Sequence, residues 1–126
     1  MDLSIKETHN ANYKKLLKLA KIFNIEKIDI SYYNNILEFY NNDKLVGLVN
    51  YCITPSMGTK NYIFIRNLYY TSNEYLNNIV VTLCNYSRSN KLIIMTPNDN
   101  KNFTKECIDT FYNNNFKGDK IILYTY

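Results

Sequence analysis

The sequence predicts one mixed α/β (α+β) domain, a sheet with helices packed on its faces. Three observations carry that expectation. Apolar spacing alternates along the chain between a period of two and a period of 3.6. Residues 36–53 hold a β-hairpin signal, in which ILEFY and KLVGLVNYCI flank the turn Asn41-Asn42-Asp43-Lys44. Residues 91–96 (KLIIMT) form a continuous apolar run, as a strand buried on both faces would.

The elements follow in order. Residues 2–8 alternate Leu3 and Ile5 and read as a short strand. Asn10 or Asn12 caps a helix over 11–23, whose apolar stripe is Tyr13, Leu16, Leu17, Ala20 and Phe23. Lys14, Lys15, Lys18 and Lys21 fall mainly off that stripe and read as a solvated face. Residues 25–33 are ambiguous. After the hairpin, Pro55 to Gly58 break the chain, and 61–71 form a third strand with Ile63, Ile65 and Leu68 on one side. From Asn73 the period becomes helical, through Leu76, Ile79, Val80, Leu83 and Cys84, and ends before Asn90. Residues 97–100 are a loop. Phe103, Cys107, Ile108 and Phe111 mark a last helix with Asn115 as its left-handed cap, and KIILYTY closes the chain as a strand.

With 126 residues and no linker, repeat or charge block, residues 1–126 are expected to form a single domain. The 21 asparagines read as a codon-composition bias rather than as chemistry. The net charge of +4 is mild, there are two arginines, and no Lys/Arg run exceeds two, so nucleic acid is not the expected partner. Cys52, Cys84 and Cys107 lie far apart in apolar patterns and read as buried free thiols of a reducing compartment. The single histidine, His9, has no ligand partners at metal spacing, and no metal is expected. It reads as a capping or surface residue. No stretch approaches the roughly 20 apolar residues of a membrane span, and the N-terminus is polar, so a cytoplasmic protein off the membrane is expected.

Three segments, in this order and spacing, resemble the GNAT family of N-acetyltransferases over nearly the whole chain. The hairpin with Gly47 resembles the family's "dgkivGf" pattern. IRNLYYTSNEYLNNIVVTLC resembles its coenzyme-binding strand and helix, and IDTFYNNNFKGDKIILYTY its closing "lYeklGF" segment. The resemblance implies an acyl-CoA N-acyltransferase-like sheet, mixed and mostly antiparallel. It also implies acetyl-CoA as cofactor, with the main chain of Leu68 and Tyr70 offered to the pantetheine arm and acetyl carbonyl.

In the family a turn of pattern R/Q-x-x-G-x-G/A takes the pyrophosphate at a helix N-terminus, because glycines let the phosphates reach the main chain. That pattern falls on Tyr75-Leu76-Asn77-Asn78-Ile79-Val80, so Asn77, Asn78 and Val80 are the implied phosphate-site positions. Asn tolerates positive φ, whereas Val80 puts a β-branched side chain where the family has glycine or alanine. The family's proton-donating tyrosine aligns with Phe111, one residue before Tyr112, which is the catalytic candidate. Glu38 and Glu74 are the nearest acids for a general base, and both read as solvated. The resemblance implies transfer of acetyl from acetyl-CoA to an amine. The alternative is an inactive binding protein on the same scaffold, such as a mobile-element or phage-encoded inhibitor acting on a protein partner. A monomer or a homodimer suits either.

Overall fold

The structure is a computed structural model that describes residues 2–24, 35–54, 61–97, 103–118 and 122–125. The ambiguous stretch 25–33 and the break at 55–58 lie outside the described residues. Strand β1 (Ser4–Thr8) leads to helix α1 (Tyr13–Ile22), then β2 (Asn35–Asn41), β3 (Lys44–Thr54) and β4 (Asn61–Tyr70). Helix α2 (Asn73–Ser89), β5 (Leu92–Pro97), α3 (Lys105–Asn113), β6 (Lys117–Gly118) and β7 (Ile122–Thr125) follow. The strands form one sheet in the order β1-β2-β3-β4-β5-β7-β6. The β4–β5 pair is parallel and every other neighbouring pair is antiparallel. This is the layout the sequence predicts, with one addition, the two-residue strand β6 that pairs with β7.

Each described helix starts where a side-chain oxygen takes up an orphan amide. Asn12 Oδ1 accepts from Lys15 N at 2.9 Å, Ser72 Oγ from Glu74 N at 3.4 Å, and Thr104 Oγ1 from Cys107 N at 3.2 Å. Helix α3 ends in a Schellman motif, with Phe116 N bonded to Phe111 O and Asn115 N to Tyr112 O. Asn115 sits there at φ 69°, in the left-handed region, and Phe116 stacks on Phe111 with centroids 4.8 Å apart. Asn10, Asn24 and Asn42 take the same conformation at φ 54°, 53° and 56°. With three glycines in the chain, asparagine supplies these turns, since its short polar side chain tolerates positive φ. Asn12 rather than Asn10 is the cap of α1.

Two apolar layers hold the sheet. On one face α2 and α3 bury Leu76, Ile79, Val80, Leu83, Cys107 and Phe111 against Leu37, Phe39, Val49, Tyr51, Ile63, Ile65 and Leu68. On the other, α1 buries Leu16, Leu19 and Ala20 against Ile36 and Leu48. The buried stripe of α1 is therefore rotated from the predicted one: Leu19 replaces Leu17, and Tyr13 and Leu17 are exposed. Residues 16, 19, 20 and 23 follow the i, i+3, i+4, i+7 pattern of one helix face.

Two bulges reconcile strand periodicity with burial. Asn50 pairs with Asn67 and Tyr51 with Ile65, leaving Arg66 as an extra residue. That insertion lets Ile63, Ile65 and Leu68 reach one face despite their odd spacing. A second shift, between Phe39 and Tyr40, leaves Val46 extra beside Gly47. A Cβ on Gly47 would lie 2.5 Å from Ile79 Cδ1, so a bare backbone here lets α2 lie close on β3. Gly47→Ala is expected to cost about 1–3 kcal/mol by overpacking, lowering the melting temperature by several degrees. In the Gly47→Ala/Ile79→Val double variant, loss of Cδ1 should make the drop smaller than the sum of the single drops.

The thiols divide by burial. Cys84 and Cys107 are buried as expected, whereas Cys52 is half-buried. Burial raises the Cys84 thiol and pushes the Cys107 thiol up to about 12 from 9.0. A folded-state pKa raised in this way favours the native state below pH 9.0 and loses that contribution as pH climbs toward 12. Burial also raises the phenols of Tyr40, Tyr51 and Tyr86, which adds the same sign above pH 10.0. Melting temperature should therefore fall progressively from pH 9 upward, and iodoacetamide should label Cys52 alone until the chain unfolds.

Candidate functional site

Strand β4 pairs with β3 along nearly its whole length but with β5 only over its first turns, Asn61–Phe64 against Leu92–Met95. From Ile65 to Tyr70 it has left β5, which at its other edge pairs with β7. An extended strand sends successive N–H and C=O pairs to opposite edges. About half of the main-chain groups between Ile65 and Tyr70 therefore face the gap. Leu68 and Tyr70 stand in this splayed segment, with the Leu68 side chain buried and Tyr70 half-buried.

The Tyr70 hydroxyl reaches from the end of β4 to Thr104 Oγ1, the cap of α3, at 2.9 Å. It thus ties the end of β4 to the start of α3. On the opposite face of β3, between inward-facing Val49 and Tyr51, lies Asn50. Its side chain is buried, and among the described residues its Oδ1 has no hydrogen-bond partner. Asn50 pairs in register with Asn67, within the splayed part of β4. An unsatisfied buried acceptor costs about 1–3 kcal/mol, which a ligand's N–H would relieve.

The phosphate end differs from the expected turn. Helix α2 begins at Asn73, set by the Ser72 cap and by Tyr75 N bonded to Ser72 O at 3.1 Å. Residues 75–80 therefore form the first two turns of a helix rather than a turn ahead of one. Main-chain amides from the second turn onward bond back along the helix and do not converge on an anion. Asn77 accepts a hydrogen bond from Asn114 Nδ2 of α3 at 3.0 Å, Asn78 is half-buried, and Val80 is fully buried in the core. Glu74 places a carboxylate in the first turn of α2, where an incoming anion would meet like charge. The splay thus fits an extended acyl-carrying arm, and the α2 start does not fit a pyrophosphate cradle.

At the other predicted site, Phe111 is buried between Phe103 and Phe116, with centroids 5.5 Å and 4.8 Å away. Tyr112, rotated about 100° from it, is 47 % exposed on α3. The phenol at the end of the splayed strand is that of Tyr70. Of the two acids, Glu74 is exposed as expected, but Glu38 is not solvated. Glu38 is 2 % exposed and its Oε2 lies 3.4 Å from Lys15 Nζ, which also donates to Thr8 Oγ1 at 3.2 Å. A signal for this pair existed: Glu38 interrupts an apolar run in which both faces of the strand are covered. His9 is exposed, with Nε2 3.7 Å from Glu7 Oε2 and Nδ1 3.2 Å from Asn35 Oδ1, in keeping with a surface residue. Among the described residues no group of three His, Cys, Asp or Glu gathers as a metal site would require, and no helix is long and apolar enough to cross a membrane.

The chain has the fold of the GNAT N-acetyltransferases. It superposes on Arabidopsis thaliana Naa50 in complex with a bisubstrate analogue with TM-score 0.63 and 13% identity, covering 100% of this chain and 99% of that one. An N-acetyltransferase from Staphylococcus aureus superposes with TM-score 0.60 and 14% identity, over 98% and 97% of the two chains. The NatC complex bound to Gag peptide and CoA gives TM-score 0.55 and 9% identity, over 98% and 96%. No protein-family model and no curated protein matches the chain in sequence.

The burial of Val80 makes a direct prediction. Val80→Gly removes a core side chain and adds a helix-interior glycine, and should cost about 3 kcal/mol in a denaturant titration. Were position 80 instead part of an open phosphate turn, the same change would leave stability nearly untouched.

Proposed function

We propose that this chain is a GNAT-type protein that takes acetyl-CoA and passes the acetyl group to an amine, gripping the coenzyme chiefly by its pantetheine arm. The observation that carries this reading is the splay of β4 from β5. The ladder with β5 stops at Phe64 while β4 runs on to Tyr70, and an extended amide-bearing chain pairs with a released strand edge as another strand would. When bound, the coenzyme supplies a thioester whose carbonyl carbon accepts the amine. The chain's own part is to align the two reactants, which by itself is worth several kcal/mol of barrier. The main chain at Leu68 and Tyr70 would hold the thioester arm.

Asn50 Oδ1, buried and unpartnered, would accept an N–H of the incoming amine on the α1 face. Two phenols stand as proton donors to the departing thiolate. Tyr70 is favoured by its position at the end of the splayed strand, and Tyr112 by the family resemblance. The solved structures of the same fold include one with a bisubstrate analogue and one with a peptide and CoA, which supports a peptide or amine as the acceptor class.

A second reading has its own observation. Helix α2 starts at Asn73 with Glu74 in its first turn, which speaks against a phosphate cradle there. A chain that had given up the coenzyme would serve as a binding protein for a protein partner, with the scaffold retained for its surfaces.

Thermal melting with acetyl-CoA and with S-acetylpantetheine separates the two. On the first reading millimolar acetyl-CoA raises the melting temperature, and S-acetylpantetheine, which lacks the nucleotide, raises it nearly as much, because the phosphates add little. An absence of shift with acetyl-CoA overturns the transferase reading in favour of the second. A much larger shift with acetyl-CoA than with S-acetylpantetheine would show that the α2 start does hold phosphates.

A further inference from the structure

Helix α1 does not lie flush on the sheet along its whole length. Between it and strands β1 to β3 is an open cavity of about 640 Å³, on the opposite side of the sheet from α2 and α3. That volume is within the range of small-molecule sites. Its apolar lining comes from buried Leu19, half-buried Leu45 of β3 and Ile22 at the exposed end of α1. Its rim is cationic. Lys14 and Lys18 stand one turn apart on α1, about 6 Å along the axis, and Lys6 projects from β1 across from them. Lys15 closes the deep end through its pair with buried Glu38, so that cation and that carboxylate offset each other. Asp43 in the β2–β3 turn offsets one further lysine, and two positive charges remain uncompensated in the lining. Among the described residues Lys6, Lys14 and Lys18 have no carboxylate partner.

Three cations held around an apolar wall are not the arrangement that solvation alone favours. Like charges on one helix face at a spacing of four destabilise that helix slightly. The cost is recovered when an anion sits between them, since a partly enclosed site screens less than open water. The half-buried Tyr40 phenol lies in the same lining, raised by burial and by Glu38.

We propose that this cavity is a binding site for an organic anion carrying at least two negative charges on an apolar body, with Lys6, Lys14 and Lys18 taking the charges and Leu19, Ile22 and Leu45 the body. The site is separate from the β4–β5 gap and does not depend on the acyl-transfer reading. Such a ligand is either a free polycarboxylate or the acidic side chains of a short peptide segment, and the two sources share this chemistry.

Amide NMR titrations of the full chain with trimesate (benzene tricarboxylate), with the peptide acetyl-Glu-Leu-Glu-amide, and with inorganic phosphate test the proposal. Trimesate or the peptide should shift the amides of Lys14 to Leu19 and of Leu45, and the affinity should fall as salt is raised. The tighter of these two ligands tells a free anion from a peptide source, and either result upholds the site. Lys14→Gln/Lys18→Gln should weaken binding at least tenfold with the melting temperature unchanged. Lys21→Gln, on the same helix but outside the cavity, should leave binding as it is. Equal binding by phosphate, shifts confined to other parts of the chain, no binding at all, or an equal loss in Lys21→Gln overturns the proposal.

Discussion

The parallel register between β4 and β5 is the constraint on which the rest of this molecule turns. It lasts from Asn61 to Phe64 and then stops, while β4 continues beside β3 to Tyr70. A strand that is fully paired on one edge and released on the other must expose main-chain groups, and buried main-chain groups demand partners. The released edge of β4 is where the sheet opens. The surrounding pieces support it. The bulge at Arg66 re-aims the strand so that Leu68 stays in the core while its backbone follows the gap. The Tyr70–Thr104 bond ties the free end of β4 to α3 across the opening.

A competition at the start of α2 sets what this opening can hold. Ahead of that helix the chain has two uses for the same amides: to converge on an anion, or to begin the helical ladder. Ser72 settles the matter by capping at once, and a buried helix gains more from packing Tyr75, Leu76, Ile79 and Val80 than from leaving their amides free. Asn114 then fixes Asn77 from the side, so the second turn is tied to α3 as well. The fold survives this exchange because its core asks only for the apolar face of α2. That separation of scaffold from site is how a chain with 9–14% identity to solved acetyltransferases retains their architecture.

On the α1 side, charge rather than packing shapes the surface. The Lys15–Glu38 pair is held with one partner nearly dry, an arrangement that gives little net stability but fixes where the helix sits on β2. With α1 pinned there, the exposed Lys14 and Lys18 line the rim of an open space. A lysine row that looks uniform along the helix is in fact three different environments: Lys15 within the pair, Lys14 and Lys18 at the cavity, and Lys21 outside it.

Element order, the hairpin, the apolar strand at 91–96 and the ends of α2 and α3 were legible in the sequence because each rests on local chemistry. Turn residues, capping oxygens and apolar period act within a few positions and need no knowledge of partners. The left-handed asparagines show the same local logic, although composition alone disguises it as bias: Asn10, Asn24, Asn42 and Asn115 stand where a glycine-poor chain needs positive φ. What sequence could not decide were matters of register and of which surfaces meet. The bulges at Val46 and Arg66, the rotation of the α1 stripe onto Leu19, the burial of Glu38 against a lysine 23 positions away and the burial of Val80 all depend on contacts between distant segments. A side chain's local pattern fixes the face it occupies. Only the packed tertiary structure fixes what that face touches, and so whether a carboxylate meets water or a lysine, and whether an amide meets a phosphate or the helix itself.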